Sequence, residues 1–363
     1  MLNRLSQSIF NLFKANETRL HELSYLFWEC TQRCNLKCRH CGSDCTANSA
    51  IRDMPFDDFL QAILPLKSAF FAKNITVAIT GGEPLLRSDL AQCGKALRQN
   101  GFRWGIVTNG YAYTPEVHAQ LLSAGMGAIT LSLDGLHDTH NWLRANPHSF
   151  DNAVRALDLI ASSKRLFYDV VTCVNHRNIN ELPLLKEFLI SKNVKAWRLF
   201  TIAPIGRAKD NADLQLTPHE LTQLMDFIAN ARTDKRIDTK FSCEAYVGKY
   251  ERKVRDACFF CRAGINIASV LIDGSISACP NINRHFAQGN IKQDNFLDVW
   301  NSRFEVMRDR SWTKTGICAK CRDYRNCKGG AMHLWDEKQD AVMGCIHQKI
   351  NDIAEKERWV KAE

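Results

Sequence analysis

Residues 25–41 read YLFWECTQRCNLKCRHC. The stretch opens as a short apolar strand, Tyr25–Trp28, and runs straight into a loop carrying Cys30, Cys34, Cys38 and Cys41. Beyond the loop the chain alternates regularly. An amphipathic helix is predicted from Phe56 to Phe70, with Asp57 and Asp58 in its first turn, where acidic side chains suit the helix dipole. The β-branched run Ile75–Ile79 ends in Gly81-Gly82, and the helix Asp89–Asn100 is closed by Gly101. Strand Trp104–Val107 ends in Asn109-Gly110, helix Pro115–Ala124 comes next, and strand Ala128–Leu133 ends in Asp134-Gly135. Helix Phe150–Ser162, strand Phe167–Val174, helix Leu182–Lys192 and strand Ala196–Ile202 complete the series before Pro204 and Gly206. About six strand–helix units with short connections demand an α/β fold, a parallel sheet covered by helices. Ligand sites of such folds lie just beyond the strand ends, where the glycines and polar residues of this chain fall. Periodicity alone does not say whether the sheet closes.

The chain has 363 residues, 45% of them hydrophobic, which is enough for a core and excludes a disordered or collagen-like polymer. Its 48 basic and 39 acidic residues leave a net charge of +9. The charges are dispersed, densest at Lys249–Arg255 and Lys320–Lys328, so no nucleic-acid partner is expected. No apolar run reaches the ~18 residues of a membrane span, so no transmembrane segment is expected. Met1–Lys14 has no continuous apolar core of a signal peptide. Its Leu2, Leu5, Ile9, Phe10 and Phe13 fall at helical spacing, which predicts a short helix packed on the domain.

Cysteine is the outlier, with 15 residues. Without a secretory signal, a cytoplasmic location is expected, and clustered thiols there point to metal rather than disulfides. Cys30, Cys34, Cys38, Cys41 and Cys45 crowd the N-terminal stretch; Cys258, Cys261, Cys279, Cys318, Cys321, Cys327 and Cys345 occupy the last third. Cys93, Cys173 and Cys243 are isolated and read as small buried hydrophobes. Thiolates suit iron–sulfur clusters and zinc. Structural zinc takes four ligands and a four-iron cluster usually four thiolates. Cys34-x3-Cys38-x2-Cys41 offers three, leaving one metal position open. Cys30 or Cys45 could add a fourth, so the count alone leaves zinc open.

The string ECTQRCNLKCRHC resembles the cluster loop of radical S-adenosylmethionine (radical SAM) enzymes, with His40 at the usually aromatic position. Further pieces match in order. Thr80-Gly81-Gly82-Glu83-Pro84 is similar to the family's GGEP motif, and Ser132-Leu133-Asp134-Gly135 with His140 and Arg144 is similar to its DGxxxxHxxxR segment. Pro204-x-Gly206-Arg207 resembles a turn frequent after the sixth strand. The resemblance implies a partial (β/α)6 parallel barrel holding a [4Fe-4S] cluster on Cys34, Cys38 and Cys41, with S-adenosylmethionine on the open iron. It assigns Glu83, after the glycine pair, to the methionyl amine and Arg144 to the carboxylate. Ser132 and Asp134 would serve the ribose, with His40 in the same pocket. Glu83 as an acceptor and the planar fork of Arg144 suit those tasks chemically.

The second thiol group resembles the SPASM extension of such enzymes, which carries one or two auxiliary iron–sulfur clusters. Cys318, Cys321, Cys327 and Cys345 would hold one, and Cys261 and Cys279 the other. The pattern breaks at Ala331, where a cysteine is expected, and Cys258 is the natural third ligand instead. Two structural zinc sites are the alternative from spacing alone.

The expected organisation is an N-terminal helical extension (1–24), the barrel (25–204), a linker and helix (205–257), a Cys-rich, loop-rich auxiliary-cluster module (258–347) and a tail (348–363). The resemblance implies reductive cleavage of S-adenosylmethionine and hydrogen abstraction from a ribosomally made peptide or protein. The alternatives are chemistry on a tetrapyrrole (haem-type) precursor and a non-catalytic zinc-stapled binding module. Pro280, where sulfatase maturases have Asp, argues against that activity. The 33 residues before Cys34 are too few for a dedicated leader-peptide domain, so a separate leader-binding partner is expected where one is needed. An electron donor such as flavodoxin or ferredoxin is also implied. Among acid–base candidates, His140, His176 and Asp138 are not separable by sequence.

Overall fold

The computed structural model describes residues 2–352 apart from residues 210 and 243, with side chains from residue 7 onward. Cys243, the side chains of Leu2 and Leu5, and most of the 348–363 tail lie outside the described residues. Ten strands form one sheet: β1 (Tyr25–Glu29), β2 (Thr76–Thr80), β3 (Arg103–Thr108), β4 (Ala128–Ser132), β5 (Phe167–Val174), β6 (Ala196–Thr201), β7 (Asp238–Phe241), β8 (Ile267–Val270), β9 (Ser275–Ser277) and β10 (Gly289–Asn290). Their order is β10-β9-β8-β1-β2-β3-β4-β5-β6-β7. β1 to β6 run parallel in sequence order, each joined to the next through helix, as the alternation requires.

One face of the sheet is apolar and covered by helices. Leu26, Trp28, Val77, Ile79, Leu131, Val170, Trp197 and Leu199 are fully buried there. Trp28 stacks on Phe59 of the helix Phe56–Ile63 at 4.6 Å. The other face curls inward. The Tyr25 phenol is raised in pKa by burial and senses the charges of Arg198 on β6 and Asp169 on β5. In a flat sheet β1 and β6 would lie about 24 Å apart, beyond the ~10 Å over which charges act in salt water. The strands therefore wrap round an inner face as an open barrel.

The sheet runs further at both edges than the alternation predicted. β7 joins β6 from the expected linker, and β8 of the Cys-rich region pairs in parallel with β1, placing Tyr25 opposite Ile267. Both strands are four residues long, too short for a periodic signal. The helix expected from Phe56 to Phe70 breaks into Phe56–Ile63 and Leu66–Ala69, with Pro65 between them. The N-terminal helix Leu2–Leu20 packs on the Cys-rich region, where Lys14 donates to the Asn326 carbonyl (3.0 Å) and Glu17 pairs with Arg262 (3.0 Å). No described helix is long and apolar enough to cross a membrane.

Candidate active site

The cysteine loop leaves β1 at the C-terminal mouth of the barrel and is anchored there by backbone. The Gly82 amide donates to Thr31 O (2.7 Å) and the Glu83 amide to Arg33 O (2.8 Å). A Cβ at Gly81 would stand 2.2 Å from Thr31 O, and one at Gly82 2.2 Å from Arg33 O. The glycine pair thus lets the loop itself approach the end of β2. From the opposite side Arg207 donates to Cys38 O (2.7 Å), Cys45 O (3.0 Å) and the Asp44 carboxylate (2.6 Å), while its amide donates to Cys41 O (3.0 Å).

These anchors gather Cys34, Cys38, Cys41 and Cys45 into one cluster. Burial pushes Cys34 up to about 11 and also raises Cys38, which Arg144 opposes. Cys41 shares a hydrogen bond with Cys45 that brings Cys41 down to about 5 and drives Cys45 up. Cys30 is buried in the main core beside Arg87 and takes no part. Among the described residues, the only three metal-binding side-chain atoms that all lie within 4.8 Å of one another belong to His40, Asp134 and Cys173. Sulfurs on one tetrahedral zinc, each about 2.3 Å from the metal, sit about 4 Å apart. Cys34, Cys38 and Cys41 do not form so tight a trio.

Around this loop the strand ends bring the polar groups together. Glu83 is fully buried and accepts from the Leu85 amide (3.2 Å), the Thr108 hydroxyl (2.8 Å) and the Asn109 amide (2.8 Å). Burial lifts its carboxyl to about 7 against those hydrogen bonds. Asn109 also donates to Asn35 Oδ1 (2.9 Å) and points its amide at Cys34 Sγ (3.9 Å). Arg144 is buried with Nε 2.6 Å from Asp134 Oδ2 and Nη1 3.7 Å from Cys38 Sγ. Burial works against the Asp134 charge, but Arg144 holds its carboxyl below the ordinary range. Ser132 ends β4 two residues before it.

His40 is neutral, its imidazole pushed down to about 4 by burial, and its buried Nδ1 has no hydrogen-bond partner. An orphaned ring nitrogen, a buried carboxyl and a buried guanidinium at one mouth fit a zwitterionic ligand with a heterocycle. His140 is a satisfied core residue: Nδ1 accepts the Asp134 amide (3.0 Å) and Nε2 faces Ser149 Oγ (3.1 Å). His176 and Asp138 are exposed and pair with Glu220 and His137.

Sequence reading passed over Thr108, Asn109 and Cys173. Asn109-Gly110 was visible only as a turn, although it buttresses Glu83. Cys173 was read as packing, yet it ends the alternation that points Asp169 and Val171 into the barrel, and that periodicity was the available signal.

In the C-terminal region Cys318, Cys327 and Cys345 each sense the charge of Cys321, and burial raises Cys327 to about 12. They fit a second polynuclear site. The other set is less convergent. Cys258 donates to Gln7 Oε1 (3.4 Å) and accepts from Arg252 Nε (3.4 Å). Cys261 packs with Cys327 against buried Ala331, and burial of its thiol is outweighed by the Arg310 charge and hydrogen bond. Ala331 thus occupies a position beside two thiols where a cysteine ligand was expected.

A family model described as the radical SAM superfamily matches residues 28–189, and one described as the SPASM iron-sulfur cluster-binding domain matches residues 261–322. The mycofactocin maturase MftC of Mycobacterium tuberculosis is 30% identical over 312 residues, spanning 85% of this chain and 78% of its own. The AdoMet-dependent heme synthase of Methanosarcina barkeri is 25% identical over 324 residues, spanning 83% and 89%. Among solved structures, Streptococcus suis SuiB bound to S-adenosylmethionine superposes with a TM-score of 0.68 at 16% identity, over 90% of this chain and 77% of that one.

Proposed function

Because the chain belongs to the radical SAM superfamily and carries its SPASM domain, we propose that it modifies a ribosomally made peptide or protein. The cluster and S-adenosylmethionine together supply one-electron cleavage of the sulfonium to methionine and a 5′-deoxyadenosyl radical, which removes a hydrogen atom from the substrate. The protein's part is to bind, orient and shield. Cys34, Cys38 and Cys41 would hold the cluster. Glu83 receives the methionyl ammonium, whose charge draws its carboxyl into the ionised form. Arg144, fixed by Asp134, offers the remaining edge of its guanidinium to the methionyl carboxylate. His40, Ser132 and Asp134 form the nucleoside side. The barrel, 25–204, does this work; 258–347 carries auxiliary iron on Cys318, Cys321, Cys327 and Cys345, and 205–257 joins them. Cys258, Cys261 and Cys279 are proposed for a further auxiliary group only with a ligand replacing the cysteine lost at Ala331.

The convergence of three loop thiols with buried Glu83 and Arg144 at one barrel mouth carries the reading. The peptide class rests on relatives: MftC is a maturase, and SuiB has been seen with its precursor peptide SuiA. A soluble one-electron carrier such as flavodoxin or ferredoxin, a cytoplasmic setting and a separate leader-binding partner complete the proposal. The test is anaerobic incubation of reconstituted protein with S-adenosylmethionine, dithionite and either short peptides encoded beside it or a haem-precursor tetrapyrrole. Deoxyadenosine with a mass change on one peptide is expected. Deoxyadenosine with a changed tetrapyrrole and unchanged peptides would transfer the substrate class to that of the haem synthase relative.

A further inference from the structure

Glu83 and Asp134 have roles in cofactor binding at the barrel mouth, but a further buried carboxyl nearby has none. Glu244 lies three residues beyond β7 and is 5% exposed. Its carbonyl accepts the Ala331 amide (3.3 Å), which places it on the seam between barrel and Cys-rich region. Its Oε2 accepts the amide (2.6 Å) and the hydroxyl (2.7 Å) of Thr201 at the end of β6. No described residue donates to Oε1. The titratable groups that face it are Arg255, on its own segment, and Cys173, at the end of β5. Arg255 is itself engaged, donating to Ala245 O (3.0 Å) and lying over the Phe241 and Phe259 rings. Cys173 in turn lies within 4.8 Å of the ligating atoms of His40 and Asp134. Glu244 is thus held by one oxygen, with no described donor on the other, between the cofactor mouth and the auxiliary thiols.

We propose that Glu244 is the proton acceptor for the substrate, an inference that rests on the radical SAM reading of this chain. Removal of one hydrogen atom from a substrate C–H leaves a carbon radical. Closing that carbon onto a neighbouring N–H, O–H or S–H forms one carbon–heteroatom bond and breaks the heteroatom–hydrogen bond. One proton and one electron are released. The electron would be taken up by the iron–sulfur group that Cys318, Cys321, Cys327 and Cys345 would hold, and the proton by Glu244 Oε1. Burial lifts the carboxyl to about 7 against the Thr201 hydrogen bonds, a value poised for proton transfer near neutral pH. The substrate class is then a peptide whose reacting carbon has a protonated heteroatom within bonding reach.

The test compares holoenzyme with Glu244→Gln on whichever peptide shows the mass change. Product formed per deoxyadenosine released is expected to fall about 10²-fold, the usual weight of one general base. The acid limb of the product–pH profile near 7 should vanish, and Glu244→Asp should recover part of the ratio. An unchanged ratio would overturn the assignment. As a readout free of turnover, infrared pH titration of the protein should show a protonated-carboxyl band that fades near pH 7 and is diminished in Glu244→Gln. Retention of the full band in that variant would also overturn it. If the unaltered protein released no deoxyadenosine, the radical SAM reading itself would fail instead.

Discussion

Each of the two thiol-bearing regions is pinned by one arginine through backbone carbonyls, yet they differ in how their cysteines are joined. Arg207 fixes the N-terminal loop through Cys38 O and Cys45 O. Arg310 fixes the C-terminal region through Cys261 O (3.4 Å), Gly330 O (3.2 Å) and Met307 O (3.1 Å). In the loop, Cys34, Cys38 and Cys41 are so close in sequence that the local backbone sets their spacing. In the C-terminal region the thiols proposed as ligands run from Cys258 to Cys345, and only packing can bring them together. The loop accordingly converges as a unit, whereas Cys258 is captured by Gln7 and Arg252. Short spacing commits the chain to a geometry; long spacing leaves it to the core.

The sharpest way to break the contrast is to remove one set entirely. Replacing Cys34, Cys38 and Cys41 together by Ala should abolish deoxyadenosine formation and lower iron by about four per chain. Iron on Cys318, Cys321, Cys327 and Cys345 should remain, because no described contact ties those thiols to the loop. Loss of all iron on elemental analysis would show the two regions to be interdependent. Gly82→Ala should come next. Its Cβ would meet Arg33 O at 2.2 Å, so the loop must lift from β2 at a cost of about 3 kcal/mol. Chemical denaturation should record that loss, and iron analysis a selective loss from the loop.

The same contrast marks what the sequence could disclose. Strand–helix alternation and the strand-end motifs place β1 to β6 and the loop, because both signals are local. β7 and β8 carry four residues each and are made strands only by the edges they find on β6 and β1. Glu83 was legible from its motif; its supports, Thr108 and Asn109, come from a neighbouring strand and share no spacing with it. Glu244 is likewise visible only once Thr201 and Ala331 are folded around it.

A smaller effect separates Glu83 from an ordinary acid. Its folded carboxyl titrates near 7 rather than at the ordinary 4.5, because burial disfavours the charge. The folded chain therefore holds this proton more tightly than the unfolded chain. Its contribution to stability is fully present below about 4.5 and is lost as pH rises through 7. Binding of the ammonium needs the ionised form, so affinity for S-adenosylmethionine should weaken as pH falls below about 7. Glu83→Gln should flatten that dependence and weaken binding about 50-fold, equivalent to roughly 2–3 kcal/mol for a charge-assisted hydrogen bond. Isothermal titration at pH values on either side of neutrality checks both, and an unaltered slope would remove Glu83 from the site.

The smallest effect tests the clamps themselves. Arg207→Ala removes the donors to Cys38 O and Cys45 O and the pairing with Asp44, while the backbone bond from residue 207 to Cys41 O survives. Two carbonyls lose partners on a loop whose Gly42, Ser43 and Asp44 are exposed to water, so the cost should stay near about 1–2 kcal/mol. Global stability should therefore change little. Exposure of the loop thiols should rise by roughly tenfold, the population shift that such an energy allows. A chelator should strip iron from the loop faster in this variant and leave the rate for the C-terminal thiols unchanged. Arg310→Ala should do the reverse, because its three carbonyl contacts all lie in the C-terminal region. Equal acceleration at both sites in either variant would mean that the two arginines stabilise the whole fold rather than their own thiol regions.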